Sequence, residues 1–238
     1  CELASMASKL TWKISVVAGK IRIQYHPEGK VFFGSTSSSS EWKAITVGGG
    51  AQGFEAHDDG LNGIAMSHDG RKIASYSTDG SLKMWSWPMA SDKGELVTRF
   101  DCPVQSADFS ACDNLIACGA QDGTVKIINI ADTNQARRIK DHEGQVKGIA
   151  FDPQRQFIAT AGADGKVNIY DYLGGDAKVA SLSIVPAAPI GERANFEMEW
   201  SPSGKYLAVP VLSGVALVSR GDATSDSWKV KVLEEHKH

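Results

Sequence analysis

The sequence predicts an all-β fold built from a repeating four-stranded unit. Three observations carry that prediction. A large apolar residue followed by a turn recurs at intervals of about forty residues, Asp-Gly turns recur in the same register, and the segments between them are short apolar runs. No stretch shows sustained helical periodicity.

The first anchor reads Tyr25-His26-Pro27-Glu28-Gly29, Met66-Ser67-His68-Asp69-Gly70, Phe109-Ser110-Ala111-Cys112-Asp113, Phe151-Asp152-Pro153-Gln154-Arg155 and Trp200-Ser201-Pro202-Ser203-Gly204. Its leading residues are 41, 43, 42 and 49 apart. The second anchor is Asp79-Gly80, Asp122-Gly123 and Asp164-Gly165, with Ser213-Gly214 as a weaker copy and the serine run 37–40 in the same slot of the first unit. Asp-Gly between apolar runs signals a hairpin, because glycine accepts positive φ and the carboxylate bonds nearby N–H groups. The runs at 72–76, 115–120, 157–161 and 206–211 are rich in small apolar residues, as expected of strands packed on both faces. The units are then about 20–56, 57–101, 102–141, 142–190 and 191–233, with 1–19 as an N-terminal segment or partial unit. The extra length of the fourth unit, around Pro186 and Pro189, reads as a surface loop.

Composition narrows the function classes. The net charge of −3, from 25 basic and 28 acidic residues, argues against a dedicated nucleic-acid surface. Cys1, Cys102, Cys112 and Cys118 form no CxxC pair and read as reduced thiols of an intracellular protein. No apolar run is long enough for a membrane helix, and residues 1–10 show no secretory leader pattern.

These residues resemble the WD-repeat family, whose period is about 40–45 residues and whose units are the four-stranded blades of a β-propeller. The resemblance implies a structural polar network in each blade. His57, Asp79 and Trp85 fit it, with Ser75 or Ser77 as the hydroxyl. His142, Thr160 and Asp164 fit it again, with Tyr170 in place of Trp. Asp122 stands in a blade with neither His nor Trp. In such a network the Asp accepts from the imidazole, which is oriented by the hydroxyl, which in turn reaches the indole N–H. Each buried polar group is thereby satisfied. A metal site at His57-Asp58-Asp59 and a Ser-His-Asp hydrolase triad are the rejected alternatives. The set recurs once per blade, and neither ligand spacing nor a GxSxG elbow is present. No cofactor, metal or catalytic residue is expected. Asp108, Glu197 and Glu199 read as solvent-facing charges.

The end of the chain, from Val232 to His236, resembles the unit boundary from Arg138 to His142. With Cys1 rather than Met at the start, this predicts a fragment with further blades beyond residue 238 rather than a closed five-bladed ring. The order of segments 96–170 and 198–228, including the unusual Ala208-Val209-Pro210-Val211, resembles the amino-terminal propeller of the replisome adaptor family. That family comprises the fungal chromosome-transmission-fidelity adaptor and the animal WD-repeat and HMG-box DNA-binding protein. The resemblance covers about 60–233 and implies a nuclear, non-enzymatic scaffold linking the replicative helicase to DNA polymerase alpha. A cytoplasmic WD-repeat adaptor, such as a ubiquitin-ligase substrate receptor or signalling scaffold, is the alternative reading, and a propeller hydrolase the third. The expected partners are proteins or peptides, replisome components among them, with no membrane and no direct nucleic-acid contact. Thr78, Gln121, Gln145 and Lys147 are the candidate partner-binding positions, since they lie just before an Asp turn or at the start of a blade's first strand.

Overall fold

The computed structural model describes residues 11–17, 20–26, 43–44, 54–86, 94–184, 197–211, 214–221 and 228–233. Every regular element among them is a strand. The proline-rich loop around 186–189 and the serine run 37–40 lie outside the described residues.

Four sheets follow the same plan. The first comprises β5 (Leu61–Met66), β6 (Lys72–Ser77), β7 (Ser81–Ser86) and β8 (Glu95–Arg99). The next comprises β9 (Val104–Phe109), β10 (Leu115–Ala120), β11 (Thr124–Asn129) and β12 (Asp132–Lys140). Then come β13 (Val146–Phe151), β14 (Phe157–Gly162), β15 (Lys166–Asp171) and β16 (Ala177–Ser183), and finally β17 (Glu199–Trp200), β18 (Tyr206–Val211), β19 (Gly214–Arg220) and β20 (Trp228–Leu233). Each is an antiparallel meander whose spatial order equals its sequence order. N-terminal to them, β1 (Thr11–Val17) pairs with β2 (Lys20–His26), and β3 (Lys43–Ala44) and β4 (Phe54–Glu55) both pair with β2. The β1–β2 hairpin therefore joins residues on both sides of the boundary that the repeat period sets at 19/20. Turn spacing marks repeats and says nothing of a strand added ahead of the first turn.

The sheets are the blades of a β-propeller. Their first strands β5, β9, β13 and β17 lie side by side and together line one cavity. Their last strands face outward, and β12, β16 and β20 are largely exposed or half-buried. The second strands β10 and β14 are almost wholly buried, which is why they are built from Ala, Gly, Cys, Thr and Ile. The core lies between blades rather than inside one. Leu82, Phe100, Phe109 and Ile116 fill the first interface, Val125, Phe151, Ile158 and Tyr170 the second, and Ile169, Trp200, Leu207 and Val218 the third. A blade alone would leave both its faces wet, so stacking supplies the stability.

Two local details are set by backbone chemistry. The fifth residue of the first anchor has positive φ in every described copy, at Gly70, Asp113, Arg155 and Gly204. The glycine of each Asp-Gly turn does too, with φ of 79° at Gly80, 85° at Gly123 and 76° at Gly165. Pro210 sits in β18, a central strand, where its missing N–H would break a ladder. It is accommodated because β17 pairs only with Leu207 and Ala208 and stops short of it.

Candidate functional site

At one end of the blades lie the Asp-Gly turns and the connections that enter each new blade. There His57, Ser75 and Asp79 come together. His57 Nε2 bonds the Ser75 hydroxyl, and Nδ1 lies 3.3 Å from Asp79 Oδ2 and 2.8 Å from Ser81 Oγ. With the proton on Nδ1, every group has a complementary partner. Trp85 packs edge-on against the His57 ring, with centroids 6.3 Å apart. His142 repeats the arrangement, with Nδ1 3.1 Å from both Asp164 oxygens and Nε2 2.8 Å from Thr160 Oγ1. Tyr170 holds the place of Trp85 and donates its hydroxyl to Asp141 Oδ2 at 3.2 Å.

The aspartates bind more backbone than imidazole. Asp79 accepts from the N–H groups of Asp58 and Ser81 and from the Ser81 hydroxyl, and Asp164 accepts from those of Glu143 and Lys166. Each carboxylate so ties its turn to the connection entering its own blade. Burial opposes ionisation of Asp79, but the Ser81 and Asp58 bonds outweigh it and hold the group down at about 2. Asp164 is lowered in the same way. Burial pushes His57 down despite its Asp79 neighbour, so the imidazole is the neutral member of the pair. Ser81, which the sequence pattern did not single out, carries two of these bonds.

The second complete blade replaces the network as a set. The position 22 residues before Asp122 is Phe100, and the places of Ser75 and Trp85 are taken by Cys118 and Ile128. All three are buried in one apolar cluster. Asp122 instead accepts from the Thr124 N–H and hydroxyl, with Lys140 at 3.4 Å. Asp122 is therefore a turn residue and not a member of a histidine network. Removing the imidazole, the hydroxyl and the indole together leaves no orphaned polar group.

Three of the four partner-binding candidates lie at this same end. Thr78 is half-buried and bonds the Gly60 carbonyl, Gln121 is exposed, and Gln145 is half-buried beside its blade entry. Lys147 is half-buried at a bulge, skipped between the pairs Val146–Gly162 and Gly148–Ala161. Asn62 and Gln105 occupy the same bulge in β5 and β9. None of the four candidates lines the central cavity.

That cavity, of about 570 Å³, opens towards the other end of the blades, where the first-to-second-strand turns lie. Its wall includes Tyr76, Asp108, Glu197 and Glu199. Asp108 is no solvent-facing charge. Its carboxylate accepts the Phe151 N–H from the next blade at 2.8 Å, and burial lifts its pKa to about 6. Glu197 and Glu199 are exposed, and they face this channel. The inner strands are also stitched across blades by Asn62 to the Val104 carbonyl, Ser106 to that of Val146 and Trp200 Nε1 to that of Ala150. Among the described residues no three His, Cys, Asp or Glu side chains are grouped to hold a metal ion, and no helix is long and apolar enough to cross a membrane.

Radial four-stranded blades carrying a repeated turn aspartate define a WD-repeat β-propeller. Residues 51–86, 94–129 and 133–171 each match the sequence family described as WD domain, G-beta repeat, so these three segments are WD repeats. The chain is similar to WD repeat and HMG-box DNA-binding protein 1 of Mus musculus, with 26% identity over 63% of this chain and 13% of the mouse protein. The Xenopus laevis protein of the same name is 24% identical over 85% of this chain and 17% of its own length. Protein HIR1 of Candida albicans is 27% identical over 71% of this chain and 22% of its own length. The chain thus spans less than a quarter of each of these relatives. Among solved structures, Chaetomium thermophilum Sqt1 bound to the N-terminus of the ribosomal protein L10 has the same fold, with a TM-score of 0.65. That likeness covers 84% of this chain and 53% of Sqt1, at 15% identity.

Proposed function

We propose that this chain is a non-enzymatic protein-binding scaffold, the amino-terminal propeller of a nuclear DNA-replication adaptor that links the replicative helicase to DNA polymerase alpha. The carrying observation is the similarity to WD repeat and HMG-box DNA-binding protein 1, which reaches 85% of the chain in the Xenopus laevis comparison. The geometry agrees with a platform. The His57 and His142 networks close within their own blades and hold the Asp turns in place, and Thr78, Gln121 and Gln145 lie around that same end, with Lys147 at a bulge of β13. Several loops converging on one axis let a partner segment touch more than one blade. In a non-obligate interface of this kind a few such contacts carry most of the energy.

The test is affinity purification of the full-length protein from nuclear extract, with the wild type beside a quadruple alanine variant at Thr78, Gln121, Gln145 and Lys147. Recovery of helicase and polymerase alpha subunits by the wild type, reduced in the variant, is the expected result. Recovery of ubiquitin-ligase or signalling partners instead would replace the replisome reading with that of a generic adaptor.

A further inference from the structure

The turns between first and second strands touch from blade to blade. The Asp113 carboxylate accepts the His68 and Asp69 N–H groups of the preceding turn, and the Gln154 amide donates to the Pro202 carbonyl of the following one. Among the described residues no hydrogen bond joins the intervening pair of turns, 110–113 and 152–155. Cys112 stands on the first of them and is partly exposed. Ser110 accepts the Leu115 N–H at 3.0 Å, which leaves its hydroxyl proton for the Cys112 sulfur at 3.6 Å.

Two donors at this junction are unused. Tyr172 is 3% exposed, and its hydroxyl is buried with no hydrogen-bond partner. A buried hydroxyl left so is unusual and needs a reason. Tyr172 directly follows β15, whose last residue Asp171 pairs with Phe157, just beyond turn 152–155. Its ring meets Phe151 edge-on, with centroids 5.1 Å apart, and packs in the cluster that Leu115 borders just beyond turn 110–113. The ring therefore lies between the two blades at the end that carries both turns. Burial, a Cys112 thiolate and Asp152, in that order, push the hydroxyl up to about 12, which sets it on the sulfur's side of the ring. Asp152 is already engaged by the Gln154 N–H. The second donor is Arg155, whose charge acts on the same thiol and whose guanidinium bonds no described residue.

We propose that Cys112 is a site of oxidation by hydrogen peroxide, and that the Tyr172 hydroxyl and the Arg155 guanidinium receive the oxygen added to its sulfur. The Cys112 thiolate attacks one peroxide oxygen. The S–O bond forms as the O–O bond breaks, and the other oxygen leaves as hydroxide. Sulfur loses two electrons, the peroxide gains them, and the product is a sulfenic acid. The thiolate is the reactive form. Burial opposes ionisation of Cys112, but the Asn114 N–H, the Ser110 hydroxyl and the Arg155 charge outweigh it and hold the thiol below its ordinary value. Cys118 is the contrast, fully buried and pushed by burial up to about 12. The added oxygen supplies the junction between these two turns with the hydrogen bonds that it lacks. The site does not depend on the scaffold reading above.

The experiment treats the full-length protein with hydrogen peroxide, traps sulfenic acid with dimedone and follows each cysteine by mass spectrometry. Alkylation by iodoacetamide, which adds no oxygen to sulfur, is measured in parallel. The proteins are wild type, Tyr172→Phe and Arg155→Gln, with near-ultraviolet circular dichroism confirming the fold. Cys112 should be oxidised about tenfold or more faster than Cys102. Tyr172→Phe keeps the ring against Phe151 and removes only the oxygen. It should slow the peroxide reaction about threefold or more and leave alkylation unchanged. Arg155→Gln should slow both reactions, oxidation the more. Equal oxidation of Cys112 and Cys102 overturns the assignment. So does a Tyr172→Phe protein that loses nothing, or that loses both reactions alike, because the hydroxyl then serves the thiol and not the added oxygen. An Arg155→Gln protein with an unchanged peroxide rate overturns it independently.

Discussion

The Lys126 ammonium lies 3.9 Å from the centre of the Phe100 ring. It also donates to the Arg99 carbonyl at 2.8 Å, as Lys83 does to the Ala56 carbonyl one blade earlier. The lysine role is thus kept while the aromatic beneath it changes from His57 to Phe100. Restoring histidine there should destabilise the protein. Asp122 could accept from Nδ1, but Nε2 would face the Cys118 thiol beside an ammonium. Phe100→His should lower unfolding free energy by about 1–3 kcal/mol. Adding Cys118→Ser should return part of it, and a double-mutant cycle in denaturant measures the coupling. Strict additivity would contradict a network that exists only as a set.

This blade also shows how far local sequence reaches. Asp79, Asp122 and Asp164 were readable because hairpin chemistry is confined to a few adjacent residues, and the meanders followed from it. The His57 and His142 partners were readable from a spacing of 22 residues that recurs. The channel was not. Side chains alternate along a strand, so one bulge exchanges the faces of all that follows. Asn62, Gln105 and Lys147 are such bulges, and nothing in their identity announces them. Asp108 was therefore read as outward-facing, and Tyr76 passed as one more apolar residue. The faint signal was its size where the other blades have Gly119 and Ala161.

The positive-φ positions predict opposite outcomes for similar changes. Gly123→Ala would set a Cβ 2.2 Å from the His142 carbonyl at φ of 85°. The blade entry must shift, and a loss of about 1–3 kcal/mol is expected. Arg155 holds φ of 65° with a side chain that makes no hydrogen bond to any described residue. Arg155→Gly should relieve that strain and be neutral or stabilising by up to about 1 kcal/mol. Asp113, at φ of 56°, differs because its carboxylate accepts the His68 and Asp69 N–H groups of the preceding blade. Asp113→Gly should therefore destabilise. Thermal melts of the three variants test the ordering.

Trp200 Nε1 donates to the Ala150 carbonyl, and its ring meets Trp228 with centroids 6.1 Å apart. Trp200→Phe keeps most of the apolar contact and orphans that carbonyl. Hydrogen exchange of β18 and β19 should accelerate, while that of β10 and β11 should change little. Uniform acceleration throughout would mean that the blades open together.

Asp79 and Asp108 should give stability opposite dependences on pH. Asp79 is held at about 2, below the ordinary carboxylate value, so its contribution is present above that value and is lost as pH falls towards 2. Asp108 is raised to about 6, so its contribution is present below the ordinary value and is lost as pH rises through 6. Unfolding free energies measured from about pH 7 down to about pH 3 separate the two. The deficit of Asp79→Asn relative to wild type should shrink on acidification below about pH 4, because there the unfolded chain takes up a proton that the native carboxylate, held at about 2, still refuses. Asp108→Asn keeps an acceptor for the Phe151 N–H and removes the buried charge. Relative to wild type it should gain stability as pH rises from about 4 to about 7, because the native protein alone must ionise a carboxyl within the channel. A flat difference for Asp108→Asn over that window would mean that the carboxylate is as well solvated as one on the surface.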